Sequence, residues 1–232
     1  MRTIGLIGGL SWESTVPYYR VINETVREAR GGLSSARIIL SSLDFAEIAA
    51  LQHANDWAGC QRVLCDAARA LRAAGAECVA ICTNTMHKLA DEVEAAAGLP
   101  LLHIADATAR AIQAAGLSQV GLLGTRFTME SDFYRDRLQT RHGIDTLIPA
   151  AEARDTVHRI IYDELCQGVV CPESRTAARD ITAALAAQGA QGIVLGCTEL
   201  PMLLHAHDSV VPVFDTGVIH ARHIARWALG EA

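Results

Sequence analysis

An internal repeat constrains this chain more than any other feature. Gly75-Ala76-Glu77-Cys78-Val79-Ala80-Ile81-Cys82-Thr83-Asn84-Thr85 aligns with Gly189-Ala190-Gln191-Gly192-Ile193-Val194-Leu195-Gly196-Cys197-Thr198-Glu199, an offset of 114 residues. An Ala-rich stretch precedes each copy. Two other segments recur at nearly the same distance. Ile7-Gly8-Gly9 matches Leu123-Gly124-Thr125 at an offset of 116, and Leu99-Pro100-Leu101-Leu102 matches Val211-Pro212-Val213-Phe214 at 112. Self-similarity at so long a period reports a duplicated architecture.

Short apolar runs alternate with Ala-rich stretches of helical period, the pattern of βαβ units and parallel sheets. Strands are expected at Thr3–Ile7, Ala36–Ser41, Cys78–Ile81, Leu101–Ile104, Val120–Leu123, Asp145–Ile148, Gly192–Leu195 and Val211–Phe214, with helices filling most of the gaps. The expected fold is therefore α/β, with two similar pseudo-symmetric lobes, each a short mostly parallel sheet flanked by helices. The first lobe would span 1–116 and the second 117–207, with a C-terminal helix in 208–232 packing back on the first. Ligands of open parallel sheets bind beyond the carboxyl ends of the strands. A duplicated sheet therefore predicts an active site in the cleft between the lobes.

Composition narrows the chemistry. Half of the 232 residues are hydrophobic and a fifth are charged, which suits a packed core. The net charge of −6 offers nothing to nucleic acid or to an anionic membrane. Lys88 is the sole lysine, so the chain has no P-loop Gly-Lys-Ser/Thr and almost no choice of Schiff-base lysine for a pyridoxal cofactor. The apolar runs fall short of the ~18 residues of a membrane span. Met1-Arg2 leads straight into the first apolar strand without a signal-peptide layout, so a cytoplasmic location is expected. The seven cysteines, at 60, 65, 78, 82, 166, 171 and 197, include no C-x-x-C and read as reduced thiols.

The repeat sets Thr83 opposite Cys197, each at a strand end and each followed by a polar helix start. Two proton-transfer groups on opposite walls of one pocket are what inversion at a carbon centre requires: one removes the α-proton while the other delivers a proton to the opposite face. A helix N-terminus at this place would lower the Cys197 pKa and attract a substrate carboxylate. The alternative for Cys197 is an ordinary strand end whose cysteine merely packs. Cys82, one residue before Thr83, is expected on the other face of its strand, in the core. Ser11 would cap a helix beside the pocket, and Thr125 and Thr128 are hydroxyl donors that could equally serve as cap and turn residues. His87 would orient the Thr83 loop or simply pack. His205, His207, His220 and His223 lack an accompanying ligand set and are expected at the surface or at helix ends, so no metal and no cofactor is called for. Gly5-x-x-Gly8-Gly9 lacks dinucleotide spacing.

Ile4-Gly5-Leu6-Ile7-Gly8-Gly9, Asn84-Thr85-Met86-His87 and Gly196-Cys197-Thr198-Glu199 resemble the cofactor-independent aspartate/glutamate racemase family over essentially the whole chain. The resemblance implies a two-lobed pseudo-symmetric fold, a homodimer, an amino-acid substrate and a two-base mechanism. The family usually has cysteine where Thr83 stands. Ser11-Trp12-Glu13-Ser14-Thr15, Pro17-Tyr18-Tyr19-Arg20, Cys82-Thr83-Asn84-Thr85-Met86-His87, His103-Ile104-Ala105-Asp106-Ala107-Thr108 and Leu123-Gly124-Thr125-Arg126-Phe127-Thr128-Met129-Glu130 look closest to its L-aspartate/glutamate-specific subgroup. That subgroup pairs this threonine with the second-lobe cysteine, which implies a bias towards L-substrates. Thr83 and Cys197 would transfer the protons, and Asn84, Thr85, Thr198 and Glu199 would help hold the substrate. The arginine and lysine of aspartate-specific members are absent, replaced by Asp44-Phe45-Ala46-Glu47 and by Cys166. Gln52 is the first candidate for reading the distal carboxylate, with a solvated helix or loop glutamine as the alternative. A decarboxylase or cis-trans isomerase of the same superfamily using Cys197, resembling arylmalonate decarboxylase or maleate isomerase, and a non-catalytic amino-acid-binding module are the rival readings.

Overall fold

The computed structural model describes residues 1–231. Seven strands alternate with ten α-helices among them. The strands are β1 (Ile4–Gly8), β2 (Ile38–Ser42), β3 (Cys78–Ile81), β4 (Gln119–Gly124), β5 (Asp145–Leu147), β6 (Ile193–Gly196) and β7 (Val213–Asp215). The helices are α1 (Trp12–Arg30), α2 (Phe45–His53), α3 (Trp57–Ala73), α4 (Ala90–Ala97), α5 (Ile104–Ala114), α6 (Arg126–Glu130), α7 (Asp132–His142), α8 (Ala151–Asp163), α9 (Pro172–Ala187) and α10 (Thr216–Leu229). Among the described residues no helix is long and apolar enough to cross a membrane.

The chain forms two compact units. One holds Met1–His103 and the segment from His220 onward, and the other holds Ile104–Ile219. Each is a parallel sheet flanked by helices, ordered β2-β1-β3 in the first unit and β5-β4-β6-β7 in the second. The division falls at His103/Ile104 and Ile219/His220 instead of near 116 and 207. The first boundary shifts because α5 packs in the second core, and the second because β7 pairs with β6. Ile104, Ala105, Ala109 and Ile112 of α5 are buried among Val120, Leu122 and Leu138 in the second core. Ala221, Ile224, Ala225 and Ala228 of α10 are buried among Ile4, Leu6, Tyr18 and Cys78 in the first.

Register makes the duplication exact at the level of hydrogen bonds. Gly5 pairs with Val79 and Ile7 with Ile81 in the first sheet, and Gly121 pairs with Ile193 and Leu123 with Leu195 in the second. These pairs are related by the offsets of 116 and 114. The 112 offset holds too: Val79 bridges Leu101, and Ile193 pairs with Val213. The fourth strand of the first unit shrinks to that one bridge, because the chain turns into α5 at Ile104, a residue assigned to a strand by its apolar run.

Alternation assigns the faces. Ile4, Leu6, Cys78, Ala80 and Cys82 lie in one core cluster of the first unit, and Ile7, Val79 and Ile81 in another. Cys82 is thus a core residue with no exposed surface, and burial pushes its thiol pKa far up. At the turn that follows β1, Gly9 adopts φ 74°, where a Cβ would collide with the Leu43 backbone.

Candidate active site

In the first unit the site residues gather at the carboxyl end of β3. Thr83 follows the strand, half-buried, and opens a short path into a 3-10 turn at Thr85–Leu89, where a longer helix from Thr85 was expected. That turn forms because Asn84 accepts from the His87 backbone amide at 3.0 Å. Asn84 and Thr85 are both buried. Gln52, also buried, extends from α2 and donates from Nε2 to the Met86 sulfur at 3.0 Å. This excludes the solvated alternative and places Gln52 against the Thr83–Met86 segment. The helix α2 that carries it is short and was not anticipated; the Asp44 side chain starts it by accepting from the Ala46 amide at 2.9 Å.

Ser11 is buried at the start of α1, but its hydroxyl makes no capping bond. Its carbonyl instead accepts from the Ser14 and Thr15 hydroxyls at 2.9 and 3.0 Å. Thr15 Oγ1 in turn accepts from the Gly9 amide at 2.8 Å, locking the glycine turn to the helix. The neighbouring strand end is closed to larger residues, since a Cβ on Gly8 would lie 2.6 Å from the Thr15 methyl.

The second unit repeats this plan with different chemistry. Thr125 caps α6, its Oγ1 accepting from the Thr128 amide at 3.3 Å, and the two hydroxyls lie 3.3 Å apart. Of the two roles open to these threonines, capping is therefore occupied. Gly124 pairs with Gly196, and a Cβ on Gly124 would stand 2.8 Å from the Gly196 carbonyl. Cys197 leaves β6 there, 7% exposed. Its Sγ donates to Glu199 Oε2 at 2.9 Å, and Thr198 Oγ1 donates to the same oxygen at 3.1 Å.

The thiol is not activated by a helix N-terminus. Only a three-residue 3-10 turn, Leu200–Met202, follows it, and its pKa is pushed well above the ordinary cysteine value. Burial is the first cause, and the Glu199 carboxylate is the second, because a thiolate beside it would be a like charge. Glu199, expected to bind substrate, turns its carboxylate onto the Cys197 thiol and accepts its hydrogen bond.

The histidines divide. His205 and His207 are exposed at a 3-10 turn. His220 is fully buried, against the expectation of a surface or helix-end residue. Tyr18 Oη lies 2.8 Å from its Nδ1 and the Leu102 carbonyl 2.6 Å from its Nε2. Sequence spacing could not reveal this, because the partners stand 202 and 118 positions away.

A family model described as Asp/Glu/Hydantoin racemase matches residues 7–224. The chain belongs to this racemase family. A solved structure described as a putative Asp/Glu racemase from Yersinia pestis is 55% identical, with 99% of this chain and 100% of that one covered and a TM-score of 0.92. An aspartate racemase homologue from Pyrococcus horikoshii OT3 is 36% identical over 99% and 100% of the two chains, with a TM-score of 0.84. Among curated relatives, the broad specificity amino-acid racemase RacX of Bacillus subtilis is 23% identical, with 70% of this chain and 69% of that one covered.

Proposed function

We propose that the protein is a cofactor-independent racemase of L-aspartate and/or L-glutamate, inverting the α-carbon by two-base proton transfer between Thr83 and Cys197. One observation carries this reading. Thr83 and Cys197 each lie two residues beyond equivalent paired positions, Ile81 of β3 and Leu195 of β6, which supports one proton-transfer group from each unit. Inversion needs two such groups, one for each face of a planar carbanion.

The Cys197–Glu199 pair works as a unit. When Cys197 takes the α-proton, its own proton passes to Glu199, and the thiolate receives the hydrogen from carbon. When it delivers, the thiol proton goes to the carbanion and the charge left on sulfur is relieved by return of a proton through Glu199. The Thr83 hydroxyl performs the complementary transfer at the other face. A hydroxyl is a far weaker acid than a thiol, which supports a rate difference between L- and D-substrates. Asn84, Thr85, Thr198, Ser11, Thr125 and Thr128 hold the amino and carboxylate groups, and Gln52 reads the distal carboxylate. In the same reading the protein is a cytoplasmic homodimer. The exposed stripe Trp12, Val16 and Tyr19 on α1, spaced by four and three, supports a contact between copies there.

A chiral assay of L- and D-aspartate and glutamate with purified protein, without added cofactor, tests the function. Conversion of each enantiomer into the other is expected, with loss of conversion in Cys197→Ser and Thr83→Val. Binding without conversion would favour the amino-acid-binding module, and carbon dioxide release from disubstituted malonates the decarboxylase.

A further inference from the structure

Behind Thr83 lies a cluster that the proton transfer does not itself use. His87 Nδ1 is 2.7 Å from the Thr83 carbonyl oxygen. A carbonyl only accepts, so Nδ1 carries the proton and donates to it. The His87 ring packs against His103 at 4.5 Å between centroids and against His220 at 5.7 Å. His220 is fixed by the same logic: Nε2 donates to the Leu102 carbonyl, and Nδ1 accepts from the Tyr18 hydroxyl. All four side chains are buried, and they come from α1, the 3-10 turn, the segment after Leu102 and α10.

The duplication separates what the fold needs from what this half-site needs. At the offset of 116, Tyr18 corresponds to Tyr134, which is likewise fully buried. At the offsets of 114 and 112, His87, His103 and His220 correspond to Pro201, Asp215 and Thr108. The second unit therefore builds the same sheet, with the same register, without any imidazole at these places. There the proton-transfer residue is held by the side chain of Glu199. In the first unit no such carboxylate follows Thr83, and the donor comes from His87 to the backbone of Thr83 itself.

We propose that His87 is the positioning residue for Thr83: its Nδ1–H clamps the Thr83 carbonyl, and the His103–His220–Tyr18 packing fixes the His87 ring so that the Thr83 hydroxyl is aimed at the α-carbon. The proposal rests on the racemase reading above and adds to it a residue that acts only through another.

The test uses the two amides that imitate the two ring nitrogens. Asparagine can place a donor near Nδ1, and glutamine near Nε2. His87→Gln removes the clamp and lowers kcat by on the order of tenfold to a hundredfold, the usual cost of misplacing a catalytic group by about 1 Å, with KM little changed. His87→Asn recovers most of that loss. In His87→Gln, hydrogen exchange by the Cys197 wall outlasts inversion, so one enantiomer incorporates solvent deuterium faster than it is racemised. A purely structural histidine would give equal losses in the two variants, no kcat-against-KM split and an unchanged ratio of exchange to inversion, and that result overturns the proposal. If either variant folds poorly, nitrogen-15 shifts of the wild-type imidazoles decide: His87 must be the Nδ1–H tautomer, and an Nε2–H tautomer overturns the clamp. Failure of wild-type protein to exchange any α-proton would instead strike the racemase reading, and loss of inversion in Thr83→Val with none in His87→Gln would strike the clamp alone.

Discussion

Tyr18→Phe is the cleanest probe of the buried network, because it deletes one oxygen and leaves the ring in place. Tyr18 is 1% exposed and His220 wholly buried, and the variant takes from His220 Nδ1 the hydroxyl that lies 2.8 Å away. Removing one partner of a buried hydrogen bond costs about 1–3 kcal/mol. In a protein of this length each kcal/mol is roughly 2–4 °C of Tm, so thermal unfolding followed by circular dichroism should fall by about 2–12 °C. His220→Leu strikes two bonds at once, those to the Tyr18 hydroxyl and to the Leu102 carbonyl, and should cost about 2–6 kcal/mol. The double variant shares one of those losses. Its destabilisation should be smaller than the sum of the singles by about 1–3 kcal/mol, measured as a coupling in denaturant unfolding. Strict additivity, or an unchanged Tm in Tyr18→Phe, would refute the assignment of this bond as a tie between α1 and α10.

Other outcomes follow from single features of the structure. Glu199→Gln removes the negative charge and the carboxylate acceptor that hold the Cys197 thiol pKa up, so the thiol pKa falls. Alkylation of Cys197 at neutral pH, followed by mass spectrometry, should accelerate while inversion slows. Gly9→Ala should destabilise by roughly 1–3 kcal/mol in urea unfolding, since a left-handed φ and the Leu43 backbone both oppose a Cβ. Arg175, first by its hydrogen bonds and with help from the His205 amide, holds the Asp208 carboxyl down at about 2. A lowered folded-state pKa adds stability above the ordinary carboxylate range, and that contribution is lost as pH falls through about 2. Asp208→Asn should therefore be less stable than wild type at neutral pH, with the gap closing on acidification.

What the sequence revealed and what it hid have physical causes. The repeat was legible because β3 and β6 need the same apolar run and β1 and β4 both end in glycine, Gly8 and Gly124, and hydrogen-bond register then preserved the offsets of 114, 116 and 112 residue for residue. The Thr83–Cys197 correspondence and the burial of Cys82 follow from that periodicity alone. Short helices were missed: α2 and α6 are too brief for a helical period to stand out, and each is started by one side-chain cap, Asp44 or Thr125. The unit boundaries differ from the expected ones because the apolar face of α5 does not show in sequence which core receives it, and because β7 joins the sheet of β6. The direction of the Cys197 pKa was hidden for a different reason. A cysteine before a polar turn suggests activation, and only geometry shows that Glu199 turns back onto the thiol. His220 was misjudged because its partners, Tyr18 and Leu102, are distant in the chain.

The central claim is that two different groups serve the two faces of one carbon. Proton NMR of L-aspartate and L-glutamate in deuterated water, read during the first few per cent of conversion together with chiral separation, tests it most directly. The account predicts that the newly formed D-enantiomer carries deuterium at the α-carbon from the outset, while recovered L-substrate retains its proton. Appearance of D-product that still carries the substrate's own α-proton would mean that one group returns the proton it removed, and would contradict the two-base reading.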